Sequence, residues 1–238
     1  MLDTLLEVQA SDTAADQLRH RRATLPERAA LAAVEARAAE VRAQLDDVST
    51  RRAEVLGRQA KLEEAVAAAS RRVKDIETRL YGGMVSATKD IMAMTAEVES
   101  LRARNSTLED EVLATMEEDE PLAAELERLQ EELAALGAEA ERAGTALAEA
   151  ETAVDAELAG LAEVRAGQAG SVPDDLLATY ERLRARLGGE GAARLSGRSC
   201  TGCHLTLPAQ ELDRIKHLPP DAVVLCDQCG RILVRSSS

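Results

Sequence analysis

The sequence contains no tryptophan and no phenylalanine, and its only aromatic residues are Tyr81 and Tyr180. A large globular core of mixed residues is therefore excluded, because aromatic side chains normally supply much of its buried area. Histidine is also scarce, at three residues (His20, His204, His217), so a histidine-based catalytic triad has few candidates. No apolar run is long enough to cross a bilayer. The N-terminus, with Asp3 and Glu7, has no continuous apolar stretch of the kind a signal peptide needs. Phosphate-binding loops of the Gly-x-x-x-x-Gly-Lys-Ser/Thr type, dinucleotide fingerprints and nucleophile elbows are absent. Acidic neighbours such as Glu117-Glu118 and Glu131-Glu132 read as solvated helix faces rather than acid–base dyads. These absences argue against an enzyme and against a small-molecule substrate. They point to the cytoplasm, where thiols stay reduced.

What is abundant is Ala, Leu, Glu and Arg, the composition of long helices and coiled coil. Residues 2–22 place Leu2, Leu5, Val8, Ala15 and Leu18 at helical spacing, and Leu25-Pro26 then predicts a kink and restart. From Leu31 an alternating three–four series runs through Val34, Ala38, Val41, Leu45, Val48, Arg52, Val55, Gln59, Leu62, Val66, Ala69, Val73, Ile76 and Leu80. Only Arg52 and Gln59 interrupt its apolar character, which marks a coiled-coil seam. Tyr81-Gly82-Gly83 breaks the pattern, and Ser86 or Thr88 is suited to cap a new helix. The seam resumes at Ile91 and continues past Leu122, Leu129 and Val154 to Glu157, Leu161 and Val164. A short connection between two long helices makes them antiparallel neighbours. Aligning them about the turn brings Arg52 opposite Thr115 and one layer from Asp119, so an Arg52–Asp119 contact is expected to fix the alignment. The rival expectation is that Arg52 snorkels to solvent. Pro121 is expected to bend the second helix.

The second helix should end near Gly167 to Gly170. Val172-Pro173-Asp174 starts a short third helix, and Gly188-Gly189-Glu190-Gly191 reads as a flexible joint. The expected organisation is thus mainly α: an antiparallel hairpin over 1–170 with a kink near 25–26 and a tip near 81–87, a short helix and joint over 171–191, and a small β-containing domain over 192–238.

All four cysteines fall in that last segment, as Cys200-x-x-Cys203 and Cys226-x-x-Cys229 with 22 residues between the pairs. Two such pairs read as a four-thiolate site for one structural Zn2+. A segment this short cannot bury enough apolar surface to fold alone, and the metal supplies the difference. Disulfides, redox chemistry or a catalytic metal are weaker readings, since no export signal or βαβ context accompanies the cysteines and four thiolates close the coordination shell. Gly202 and Gly230 are placed where tight knuckles want a permissive backbone. Pro208 to Leu218 predicts a helix ended by Pro219-Pro220. Ala222–Leu225 and Arg231–Val234 are expected to pair as ribbon strands.

The net charge is −14. Residues 192–238 hold six basic residues (Arg194, Arg198, Arg214, Lys216, Arg231, Arg235) against Glu211, Asp213, Asp221 and Asp227. The acidic excess therefore lies in the helical part, which repels polyphosphate. Arg198, Arg214, Lys216, Arg231 and Arg235 are the candidate contacts to nucleic acid or to a protein partner.

Leu25-Pro26-Glu27, Leu80-Tyr81-Gly82-Gly83, Glu97 with the leucines after it, and above all Cys200-x-Gly202-Cys203-His204 and Cys226-x-x-Cys229-Gly230-Arg231-Ile232-Leu233 carry a family likeness. The chain resembles bacterial coiled-coil proteins with a C-terminal C4-type zinc ribbon. It departs from them in Ser86-Ala87-Thr88-Lys89-Asp90, where an Asn-Pro-Lys-Glu type string is common, and in Val234, where an aromatic often stands. The resemblance implies a helical hairpin bearing a zinc ribbon. It also implies a regulator that binds an alternative sigma factor or secretion components, or one that binds RNA. The residues themselves favour a non-enzymatic adaptor over a direct DNA- or RNA-binding regulator; a setting in transcriptional or post-transcriptional regulation is what the resemblance implies.

Overall fold

The computed structural model describes residues 2–219 and 221–235. Pro220 of the Pro219-Pro220 break and the last three residues assigned to the ribbon lie outside them. Helices α1 (Leu2–Ala23), α2 (Pro26–Tyr81), α3 (Thr88–Ala169) and α4 (Asp174–Arg186) precede a small sheet with strands β1 (Ala192–Ser196), β2 (Ser199–Cys200) and β3 (Ile232–Arg235); helix α5 (Ala209–His217) lies between β2 and β3. The chain forms two compact units. One is Leu31–Arg142; the other joins Met1–Ala30 to Ala143–Ser238.

The unit Leu31–Arg142 is an antiparallel helical hairpin built on the seam. None of the fifteen seam positions from Leu31 to Leu80 is exposed, and Val41, Val48, Val55, Leu122 and Leu129 form its buried centre. Arg52 meets Asp119 as a fork, Nε donating to Oδ1 at 2.8 Å and Nη2 to Oδ2 at 3.2 Å. The guanidinium thus closes on the seam carboxylate instead of snorkelling to solvent. Further pairs straddle the edges, among them Arg37–Glu132 and Arg72–Glu97. Such exposed pairs individually add little. At the turn, Gly82 donates its N–H to the Thr78 carbonyl at 2.9 Å, and a Cβ on Gly82 would fall 2.5 Å from that same oxygen. Gly83 adopts φ +73°, the left-handed region that suits glycine. Neither Ser86 nor Thr88 caps α3 with its side chain. Ala87 holds the cap position, its carbonyl accepting the N–H groups of Asp90 and Ile91. Helix α3 continues through Pro121, which sacrifices one backbone bond without ending the helix.

In the other unit, α1 runs beside the second half of α3, with Ser11 Oγ donating to Gln168 Oε1 at 2.8 Å and Arg22 forked onto Asp155. The break between α1 and α2 falls at Thr24 and Leu25, as the proline restriction requires. Beyond Val154 the seam departs from the expected series. Glu157 and Val164 face solvent, while the next residues, Leu158 and Arg165, turn inward. A charged Glu157 gains nothing from the seam, and Arg165 has a partner there. That partner is Asp12, only 6% exposed. It accepts the Tyr180 hydroxyl at 2.8 Å and Arg165 Nε at 2.8 Å, with Arg184 Nε 3.6 Å away. Arg165 also pairs with Glu181, and Arg184 with Asp16. The surrounding core unites Leu2, Leu5 and Val8 of α1, Leu176, Tyr180 and Leu183 of α4, and Ile232 and Val234 of β3.

The sheet order is β2-β1-β3, with β1 antiparallel to β2 and parallel to β3. The expected pairing of Ala222–Leu225 with Arg231–Val234 is reduced to one bridge, Leu225 to Ile232, and one bond from Leu233 N to Val224 O. The long partner of β3 is β1. Its segment closes onto the helices: Ala192 N donates to Gln9 Oε1 at 2.7 Å, and a Cβ on Gly191 would meet Tyr180 Cδ2 at 2.7 Å. The joint is packed against α4 at Gly191, where only glycine fits.

Candidate metal centre

Each cysteine pair sits on a knuckle, and the two knuckles share one hydrogen-bond scheme. His204 N donates to Cys200 O, and Gly230 N to Cys226 O, at 2.8 and 2.7 Å. In return, Cys200 N donates to Leu205 O, and Cys226 N to Arg231 O. Both fourth positions after the first cysteine are left-handed, His204 at φ 61° and Gly230 at φ 73°. The expected glycine at the bend is therefore confirmed for Gly230 but not for Gly202. Gly202 matters for another reason. A Cβ there would lie 2.6 Å from Arg231 Cδ and 3.0 Å from the Ala193 Cβ, so it is space, not φ, that demands glycine.

The knuckles face each other and bring the four sulfurs within 4.8 Å of one another. Cys200 and Cys229 are 3.9 Å apart across the pairs, as are Cys203 and Cys226. A zinc held by thiolates at about 2.3 Å in a tetrahedron requires sulfur–sulfur edges of about 3.8 Å. The sulfurs fit that shell and are far beyond the roughly 2.05 Å of a disulfide. Ala193, Leu207, Leu212, Ile215, Val224 and Leu233 pack around the buried Cys200 and Cys226 and keep water from one side.

Burial raises the Cys200 thiol and pushes Cys226 up to about 12. Burial acts the same way on Cys229, yet the backbone N–H and guanidinium of Arg231, with hydrogen bonds from Cys226 and Cys203, bring it down to about 7. Zinc takes thiolates, so metal uptake near neutral pH must displace protons from the buried pair.

The basic candidates divide sharply. Arg231 is 16% exposed; its Nε donates to Glu190 O at 3.2 Å and its Nη1 to Gly202 O at 3.3 Å, with Glu190 Oε2 3.4 Å from Nη2. Arg235 spreads its guanidinium over the end of α5, donating to the carbonyls of Ile215 at 2.9 Å, Leu218 at 3.2 Å and Ala222 at 3.2 Å, and also to Pro219. Arg214 is forked onto Glu211. Among the described residues, the side chains of Arg198 and Lys216 are exposed without a hydrogen-bond or ion-pair partner. His204 is exposed and stands outside the sulfur cluster, and His217 Nδ1 lies 2.7 Å from Asp213 O within α5. The Asp12–Tyr180 cluster was not foreseen from sequence. Its signal was a carboxylate on the apolar face of α1, one turn from Val8.

Residues 8–188 match the model of the CT398-like coiled coil hairpin domain, and residues 199–233 that of the C4-type zinc ribbon domain. The chain belongs to this family. The domain carries one structural zinc, for which the four clustered cysteines are the fitting donors. An uncharacterised protein of Mycobacterium tuberculosis is 31% identical, over 98% of this chain and 94% of that one. A solved structure from Mycobacterium smegmatis matches at a TM-score of 0.88 and 28% identity, covering 99% of this chain and 97% of that chain. CT398 from Chlamydia trachomatis matches at a TM-score of 0.73 and 20% identity over the same shares, a likeness of fold alone.

Proposed function

We propose that this family member is a non-enzymatic adaptor, with hairpin and ribbon each offering a face to another macromolecule in transcriptional or post-transcriptional regulation. The observation that carries the reading is the inward commitment of Arg231 and Arg235. With Arg214 paired to Glu211, only Arg198 and Lys216 of the five candidate cations remain free to meet a phosphate. Two free cations on an acidic chain give a weak electrostatic grip, whereas protein recognition does not depend on phosphate neutralisation. A four-thiolate zinc offers no open coordination position for catalysis. No helix among the described residues is long and apolar enough to cross a membrane. The reduced thiols that zinc needs favour a cytoplasmic location. A sigma factor or a secretion component is the partner class implied by resemblance.

Affinity purification of the intact protein beside Cys200→Ser/Cys203→Ser tests the reading. The expected result is a co-purifying protein that persists at high salt and needs the ribbon for part of its retention. Tight RNA or DNA binding that weakens steeply with salt and disappears on Arg198→Ala/Lys216→Ala would instead establish direct nucleic-acid regulation.

A further inference from the structure

Around Leu56 the two flanks of the Leu31–Arg142 seam differ in charge. On one, Arg58 pairs with Glu118 and Lys61 lies beside Glu111 in a shallow cleft. Leu56 and Met116 stand two residues before that pair on each helix. They are about 200° round, hence on the opposite flank. There α2 offers Ser49, Ala53, Gly57 and Ala60 around Leu56, with no base. Leu113 adjoins Met116 on the same side of α3. Leu56, Leu113 and Met116 are 42%, 58% and 51% exposed. Glu109, Glu117 and Glu120 border them, and among the described residues none of the three has an ion pair.

We propose that this flank is a docking surface for a basic amphipathic helix of a partner protein. Its apolar stripe lies on Leu56, Leu113 and Met116, and its lysines or arginines meet Glu109, Glu117 and Glu120. The occupant is named by complementarity. On the other flank Glu118 is matched by Arg58 of α2, while Glu109, Glu117 and Glu120 have no such base, so they complement a partner that brings positive charge. Small residues on α2 leave room for a third helix at coiled-coil distance. A second copy of this chain, itself strongly acidic, is a poor match. The inference rests on the adaptor reading and specifies one of its partners.

The probe is a fluorescent 18-residue peptide with leucines on one helical face and lysines on the other, compared with a scrambled peptide of equal composition. Fluorescence anisotropy with the intact protein should show the amphipathic peptide binding at least tenfold tighter than the scrambled one. Leu113→Ser/Met116→Ser, which leaves charge unchanged, should remove that preference. Glu117→Gln/Glu120→Gln should weaken binding and flatten its salt dependence; this second variant decides the matter if the first loses helicity by circular dichroism. Equal binding of the two peptides, or wild-type binding by the serine variant, would reduce the effect to attraction between opposite charges and overturn the proposal. A wild-type dimer that the serine variant splits into monomers would overturn it in favour of self-association. None of these outcomes touches the adaptor reading, which stands on the partner purification.

Discussion

The two compact units are held together in opposite ways. Leu31–Arg142 repeats one small device, an apolar layer, many times, and a single fork from Arg52 to Asp119 sets the alignment. The other unit concentrates its stability in a few residues that meet from distant parts of the chain: Asp12, Tyr180, Arg165 and the four cysteines. Distributed packing tolerates single losses, whereas convergent packing fails at a point.

The strongest test of that contrast is metal removal. Cys226→Ser, or a chelator under reducing conditions, should abolish the ribbon's structure, since structural zinc contributes on the order of 10 kcal/mol. Amide exchange should reach its unprotected rate across β1, β2 and β3 while protection along the seam of Leu31–Arg142 persists. Ribbon protection that survives would show that its apolar cluster suffices alone. Asp12→Ala should come next, at about 3 kcal/mol in urea denaturation, because it leaves the buried Tyr180 hydroxyl without its acceptor and removes one of the two carboxylates that hold Arg165. Leu129→Ala in the seam should cost about 2 kcal/mol, the low end for a buried leucine, as the neighbouring layers remain. If it unfolds the unit outright, the stability there is not distributed.

Tyr180→Phe should cost about 1 kcal/mol at neutral pH. Burial, and then the hydrogen bond to Asp12, raise the Tyr180 hydroxyl far above its usual value near 10. The stabilisation is therefore complete below pH 10 and declines as pH rises beyond it toward the folded value. Denaturation of wild type and variant from pH 8 to pH 11.5 should show the wild-type advantage shrinking only above pH 10. The smallest effect is expected from Arg52→Met/Asp119→Leu. Replacing a charged pair by apolar residues leaves melting nearly unchanged, but spin-label distances across the hairpin should broaden as alternative alignments appear.

The seam was legible because its signal is local and repeated. Even Arg52 and Asp119 could be matched, since both interrupt an otherwise apolar series. Legibility ended where geometry overrode periodicity, as when Leu158 and Arg165 displaced Glu157 and Val164. The cysteines were equally plain, because zinc fixes both residue type and spacing. Strand β1 was not. Ala192-Ala193-Arg194-Leu195-Ser196 has little β character of its own and becomes a strand by pairing with Ile232–Arg235, forty residues further along the chain. The arginines illustrate the same limit: sequence reports a charge, and only the fold reveals that Arg231 and Arg235 spend it on nearby carbonyls.

The packing of Leu2, Leu5 and Val8 against Ile232 and Val234 has a consequence for biosynthesis. Helix α1 is translated long before β3, so part of its apolar side stays uncovered on the ribosome until β3 follows. Nascent chains should therefore be prone to capture by chaperones until β3 arrives.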